Sequence, residues 1–267
     1  MIVGRKKEFL ICTACMKLQR HVLLEGPVGV GKSKLASHVA SSMQRPIIRI
    51  DADERYTEEK LIGYFDPALV LQSGYQKDFF IPGPLCLALQ QGAILLINEF
   101  NRLPVSVQNI LLPVLDERFL DIPRYQTVQA HDHFVVIATQ NTSDYVGVHN
   151  LSEAIRDRME LIPILYQNWQ EELEIIIQSC QKYFDQIETC KDIAIRSLHV
   201  VRNTRNNPLF VRGASVRAAI AITQLASELD FETACKIALL SRVELHDQNE
   251  DIWENIFADL DKKKEII

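Results

Sequence analysis

The sequence predicts an α/β protein: a three-layer sandwich around a parallel central sheet, followed by a small all-helical region. Three observations carry this. The stretch Gly26-Pro27-Val28-Gly29-Val30-Gly31-Lys32-Ser33 reads G-x-x-x-x-G-K-S and stands between an apolar run, His21 to Leu24, and a helical stretch from Lys34 to Met43. Four more short apolar runs follow, at Pro46–Ile50, Ala93–Ile97, Val135–Ala138 and Leu161–Tyr166, with helical segments between them. Composition then shifts at residues 167–172, and beyond it the pattern is helical with no convincing strand. Strands buried on both faces read as continuous apolar runs. Their alternation with helices makes the sheet parallel and puts its site at the carboxyl ends of the strands. The expected division is 1–168 for the α/β domain and 169–267 for the helical one.

Taken in order, Met1 to Gly4 is extended and Lys6 to Leu18 reads as a helix with Phe9, Leu10, Ala14 and Leu18 on one side. The first strand then enters the glycine-rich loop. Glycines let backbone N–H groups curl around a phosphate with no Cβ in the way. Lys32 places a point charge on the β- and γ-phosphates, and the Ser33 hydroxyl suits Mg2+. The helix that follows points its N-terminus at the same anion. After the β-branched run at 46–50, residues 51–84 are polar and broken by glycine and proline, which reads as loops with short elements such as Glu58 to Ile62. Leu85 to Gln91 is helical and stops at Gly92.

The run Ala93–Ile97 ends in Asn98-Glu99. An apolar strand ending in acidic residues is the second half of a nucleotide-hydrolysis site, one residue holding Mg2+ through water and the next polarising the attacking water. Glu99 is present, but the metal position carries Asn98, which accepts a hydrogen bond yet brings no negative charge. Ser106 to Arg118 reads as one amphipathic helix with Val107, Ile110, Leu111, Val114 and Leu115 on its core face. Phe119–Ile122 and Thr127–Ala130 suggest a hairpin around Pro123-Arg124-Tyr125, and His131 and His133 at its end read as loop or strand histidines rather than metal ligands. The strand Val135–Ala138 ends in Thr139-Gln140-Asn141, where a polar tip beside the phosphate loop can orient water. In the helical part, Ser215 is an N-cap for a helix running to Leu229, which places Arg217 in its first turn. A second helix is expected over Phe231–His246 and a last one over Trp253–Ile267.

Composition sets the class. The chain has 267 residues, 47% hydrophobic and 24% charged, ordinary values for a globular protein with a large core. A net charge of −6 argues against a standing nucleic-acid or anionic-membrane surface. No apolar run is long enough to span a bilayer and the start lacks a signal-peptide core, so the expectation is a cytoplasmic protein. The six cysteines are scattered, as reduced thiols are. Cys12 and Cys15 form a C-x-x-C pair without a second pair, which reads as two apolar positions on one helix face rather than half of a metal or redox site.

These residues resemble the AAA+ ATPases, and within them the MoxR-like branch. The resemblance spans almost the whole chain. It rests on Ile2-Val3-Gly4-Arg5, the GPVGVGKS loop at 26–33, Leu61-Ile62-Gly63, INEFNRLPVSVQNILLPVLDER at 97–118, ATQN at 138–141, LSEAIRDRM at 151–159 and GASVRAA at 213–219. It implies an α/β core with a helical lid, and a ring, usually a hexamer, with ATP and Mg2+ at each subunit boundary. It further implies that Gly26 to Ser33 hold the phosphates, with Ser33 and Asn98 toward the metal and Val3 and Gly4 by the adenine. Glu99 would be the water-activating acid and Asn141 the first sensor. Arg158 would be the arginine finger reaching the neighbouring subunit, with Arg156 its alternative, and Arg217 the second sensor. The departure is Asn98, which puts the rate of hydrolysis in question more than nucleotide binding.

Three functions follow from the resemblance. The first is an ATP-driven remodelling or maturation chaperone for a protein client or adaptor, in this family often one with a von Willebrand factor A domain. The second is a nucleotide-dependent nucleic-acid motor of a restriction-type system, which the acidic balance disfavours. The third, prompted by Asn98, is an assembly scaffold that turns over slowly. The chain begins almost at the first motif, so recognition is expected in the insert, the hairpin, the ring surface or a partner rather than in a separate N-terminal domain.

Overall fold

In a computed structural model, residues 2–141 and 151–245 are described. Five strands, β1 (Val22–Gly26), β2 (Ile47–Asp51), β3 (Ile94–Asn98), β4 (Val135–Asn141) and β5 (Glu160–Pro163), form one sheet in the order β2-β3-β4-β1-β5. Every neighbouring pair is parallel. The central strands are covered on both sides, which is why they are apolar on both faces until their carboxyl ends. Their alternate residues feed two separate cores. Val22 and Leu24, Ile94 and Leu96, Val135 and Ile137 pack under helices α1 (Lys6–Lys17) and α2 (Lys32–Ser42). Leu23, Leu95, Ile97, Val136 and Ala138 pack on the opposite face, against α3 (Glu58–Ile62), α5 (Pro84–Gln91), α6 (Val105–Asn109), α7 (Leu111–Asp116) and α8 (Glu153–Asp157).

The insert between β2 and β3 is more ordered than its composition suggests. Gly63–Phe65 pairs antiparallel with Phe80–Pro82, and between them lies α4 (Pro67–Ser73), whose cap Asp66 accepts from the Ala68 and Leu69 amides. The hairpin Phe119–Ile122 with Gln126–Gln129 forms where expected.

Several elements differ from the sequence expectation. Helix α1 buries Cys12 and Met16, while Leu10 and Leu18 are 66% and 74% exposed. The core face lies to one side of the one that the leucines suggest, because the sheet below decides which stripe is covered. Cys12 is thus a packing residue, and burial pushes its thiol up to about 12. The single helix expected over Ser106–Arg118 is two, α6 and α7. Pro113 has no N–H for the Asn109 carbonyl, and its ring crowds that carbonyl, so the first helix ends there. The last strand stops at Pro163.

The C-terminal region packs α9 (Trp169–Cys180), α10 (Ile187–Asn206), α11 (Val216–Leu225) and α12 (Phe231–Leu239) around a cluster of their own, including Ile176, Leu198, Ile222 and Leu239. Helix α9 begins at a capping box, Asn168 with Glu171. Helices α11 and α12 end earlier than expected. Phe210–Arg212 pairs with Glu244–Leu245, a strand pair too short to leave a periodic signature. His246 and the helix expected over Trp253–Ile267 lie outside the described residues, as does the loop 142–150.

Candidate nucleotide site

A cavity of about 260 Å³ opens at the carboxyl ends of the strands. It is walled by the glycine-rich loop, the tips of β3 and β4, the N-terminal segment and the helical region. The loop leaves β1 through Gly26, where a Cβ would collide with the Ile164 backbone carbonyl. It turns at Gly29 and Gly31 with φ of 84° and 92°, and enters α2 with Gly31 as its cap. A Cβ on Gly29 would fall on the Ser215 side chain, so the helical region lies directly against the loop. Ser215 stands at the start of α11, but its hydroxyl makes no capping hydrogen bond.

Lys32 is buried and donates to the Gly26 and Pro27 carbonyls, both at 2.7 Å, and to Asn141 Oδ1 at 2.9 Å. All three acceptors are neutral. Burial pulls its pKa down to about 8; Glu99 opposes that shift, Arg217 adds to it, and Glu25 opposes it more weakly. A desolvated cation with only neutral contacts gains from an incoming anion.

The strand tips form a second polar group. Ser33 Oγ donates to Asn98 Oδ1, Thr139 Oγ1 donates to the same oxygen at 2.9 Å, and Asn98 Nδ2 donates to Asp51 Oδ1 at 3.0 Å. The hydrogen bond from Arg49 holds the Asp51 carboxyl below the usual range; burial works against it, and the hydrogen bond from Asn98 adds to the lowering. Glu99 sits in the left-handed region at φ 57°, with its N–H given to Thr139 Oγ1 at 3.1 Å and its carboxylate paired to Arg102 at 2.9 Å. Asn101 is buried and donates to the Asn141 carbonyl at 3.1 Å, fixing the tip of β4.

Of the residues expected at the site, Val3, Val28 to Ser33, Asn98, Glu99, Asn141 and Arg217 line the cavity. Gly26 and Pro27 serve it through the carbonyls that hold Lys32. Gly4 does not line it; the neighbouring Val3 does, its carbonyl held by Gln167 Nε2 at 2.8 Å. Arg158 stands apart, paired to Asp116 at 2.8 Å and bound to the Ala154 carbonyl, and Arg156 is exposed. Sequence reasoning missed Asp51, Thr139, and the wall supplied by Ile175, Gln178 and Ser179 of α9. Thr139 was legible as a strand-tip hydroxyl. The others have no local signal, since only the packing brings the α9 residues to the cavity wall and Asp51 to Asn98 at its rim.

Among the described residues, no helix is long and apolar enough to cross a membrane. The chain is 32% identical over 227 residues to the gas vesicle ATPase GvpN1 of Halobacterium salinarum, a match covering 79% of this chain and 63% of that protein. It thus spans less than two thirds of that relative's length. It is 30% identical to an uncharacterized protein of Staphylococcus saprophyticus, over 86% of each chain. A crystal structure of a Cytophaga hutchinsonii protein superposes with a TM-score of 0.53 at 22% identity, covering 96% of this chain and 90% of that one, which bears on the fold alone. Residues 21–159, more than half the chain and the span from β1 through β4 to the residue before β5, match the AAA domain of the dynein-related subfamily, and the chain belongs to that family.

Proposed function

We propose that this chain binds ATP and hydrolyses it as a MoxR-like AAA+ ATPase, at a boundary between copies of itself, and uses the cycle to remodel or mature a protein partner. The observation that carries the reading is Lys32, a buried cation held only by neutral acceptors at the floor of a cavity walled by the loop and the helical region. A polyphosphate supplies the charge that this site lacks, and the loop glycines leave room for it.

In this reading Lys32 and the first amides of α2 hold the β- and γ-phosphates. Glu99 takes the proton of the attacking water as the new P–O bond forms, and the bond to the bridging oxygen breaks to leave ADP and phosphate. Asn141 and Arg217 position the γ-phosphate from the strand tip and the helical region. Val3 lies beside the base. Ser33 Oγ and Asn98 Oδ1 are hard oxygen donors that fit Mg2+, which supplies charge neutralisation at the phosphates when bound. Arg158, outside its own cavity, serves the site of a neighbouring copy. The relatives named as gas vesicle ATPases support ATP turnover.

Asn98 favours a second reading, a nucleotide-dependent scaffold that turns over slowly. ATP binding and steady-state hydrolysis by the wild type and by Glu99→Gln separate the two. The expected result is binding by both proteins, with turnover reduced at least about a hundredfold in the variant. A protein that co-purifies with Glu99→Gln in ATP identifies the client. Absence of ATP binding by the wild type would overturn the reading, and stimulation by DNA instead of protein would assign the chain to a nucleic-acid motor.

A further inference from the structure

The tip of β3 lacks a carboxylate, yet a carboxylate stands beside it. Strands β2 and β3 pair in register so that Asp51 lies opposite Asn98, each the last residue of its strand. The Asn98 amide bridges two groups. Its Nδ2 donates to Asp51 Oδ1 at 3.0 Å, and its Oδ1 accepts from Ser33 and Thr139. An amide has one donor end and one acceptor end. With Asp51 holding the donor end, the oxygen is directed to the hydroxyl of Ser33.

The charge balance points the same way. An aspartate at position 98 would meet Asp51 at hydrogen-bond distance, where two carboxylates do not both stay ionised. Asn98 with Asp51 therefore carries one negative charge across the pair, as a lone aspartate at 98 would, but displaced by one strand. The Asp51 side chain is 60% exposed at the rim of the site, and the exposed Arg49 donates to both of its oxygens, to Oδ1 at 2.7 Å and to Oδ2 at 3.1 Å. Water can therefore bridge it to a bound cation.

We propose that Asp51 is the carboxylate of the Mg2+ site in this chain: it orients the Asn98 oxygen toward Ser33 and supplies, one strand away, the charge that Asn98 lacks. Asp51 is a positioning residue, since it does not itself line the cavity. The inference rests on the nucleotide reading above. It also predicts that Asn98→Asp alone does little, because the added carboxylate faces Asp51.

The test is equilibrium binding of a fluorescent N-methylanthraniloyl ATP, in EDTA and across a MgCl2 titration. Asp51→Asn is expected to raise the Mg2+ concentration for half-maximal effect about tenfold, as loss of an outer partner does. Binding in EDTA should stay unchanged. Asp51→Asn with Asn98→Asp, which moves the charge back to β3, should recover the wild-type Mg2+ dependence. Arg49→Ala, which frees Asp51, should shift the dependence to lower Mg2+. An unchanged Mg2+ dependence in Asp51→Asn overturns the proposal. So does equal weakening of binding with and without Mg2+, which marks a merely structural role, or failure of the charge-moved variant to recover while its thermal melt stays intact. If the wild type binds no nucleotide even with Mg2+, the nucleotide reading itself falls and the proposal with it; if it binds with a Mg2+ dependence that ignores Asp51, only the proposal falls.

Discussion

His21, the residue before β1, is 5% exposed, and its Nδ1 accepts the Val136 N–H at 3.0 Å, so the ring is held neutral. Burial draws its pKa from 6.5 down to about 4, the Arg118 cation pushes the same way, and a backbone contact to Leu115 opposes them. The unfolded chain therefore binds this proton more tightly than the folded one. The stability that the neutral ring contributes is whole above pH 6.5 and is lost as pH falls toward 4, a total of roughly 3 kcal/mol. His21→Asn keeps an acceptor for Val136 but cannot charge. Melting temperatures measured from pH 7.5 to 4 should fall less steeply for this variant than for the wild type, and parallel curves would refute the assignment. Asn98 and Asp51 make the same point at the site: what a residue does is set by the neighbour that the sheet gives it.

Among the elements, α9 and α10 are joined through one buried carboxylate. Glu172 of α9 is 2% exposed and meets Arg202 at 2.9 Å and Arg205 at 2.8 Å, both from α10. Arg205 also lies 3.9 Å over the Tyr166 ring and donates Nε to the Ala214 carbonyl at 2.7 Å, two residues before the start of α11. The cluster thus ties the helical region to the segment that sets Ser215 against Gly29 and presents Arg217 to the cavity. Glu172→Ala leaves two arginines without their anion, one of them buried. The expected cost is about 3–5 kcal/mol, read as a lower midpoint of urea unfolding. Nucleotide affinity should drop as well, since the start of α11 loses its anchor. An unchanged urea midpoint would show that the pair contributes no more than a surface salt bridge.

At the scale of the whole molecule, the site as proposed is completed by another copy. The cavity lies between the strand tips and the helical region, while Arg158 is fixed at the edge of the α/β layers by Asp116 and the Ala154 carbonyl. In the proposed assembly this cation would serve a neighbour's γ-phosphate, and such arginines contribute on the order of a thousandfold or more to the rate. Arg158→Ala should bind ATP and lose turnover. Lys32→Ala should be inactive for want of a phosphate grip. Mixing the two should restore part of the activity, because some sites then join an intact Lys32 to an intact Arg158. ATP with Mg2+ should also increase the sedimentation coefficient of the wild type. Mixtures that exchange subunits yet stay inactive would exclude Arg158, and Arg156 would be next by the same assay.

The sequence by itself determined the phosphate loop, the five strands of the sheet, the Asn98-Glu99 pair, the Asn141 tip and the helical character of the C-terminal region. Each is written in contiguous residues, where glycine geometry, apolar runs and caps act over a few positions. Periodicity misjudged the covered face of α1, since Leu10 and Leu18 fit an apolar stripe as well as Cys12 and Met16 do. Only the tertiary structure decided that Asp51 faces Asn98, 47 residues away in the chain, that Ser215 leans on Gly29, and that α9 walls the cavity. Local sequence selects strand or helix through short-range sterics and hydrogen bonding. Which strand lies beside which, and in what register, is selected by the burial of whole faces at once, and the chemistry at the strand tips inherits that choice.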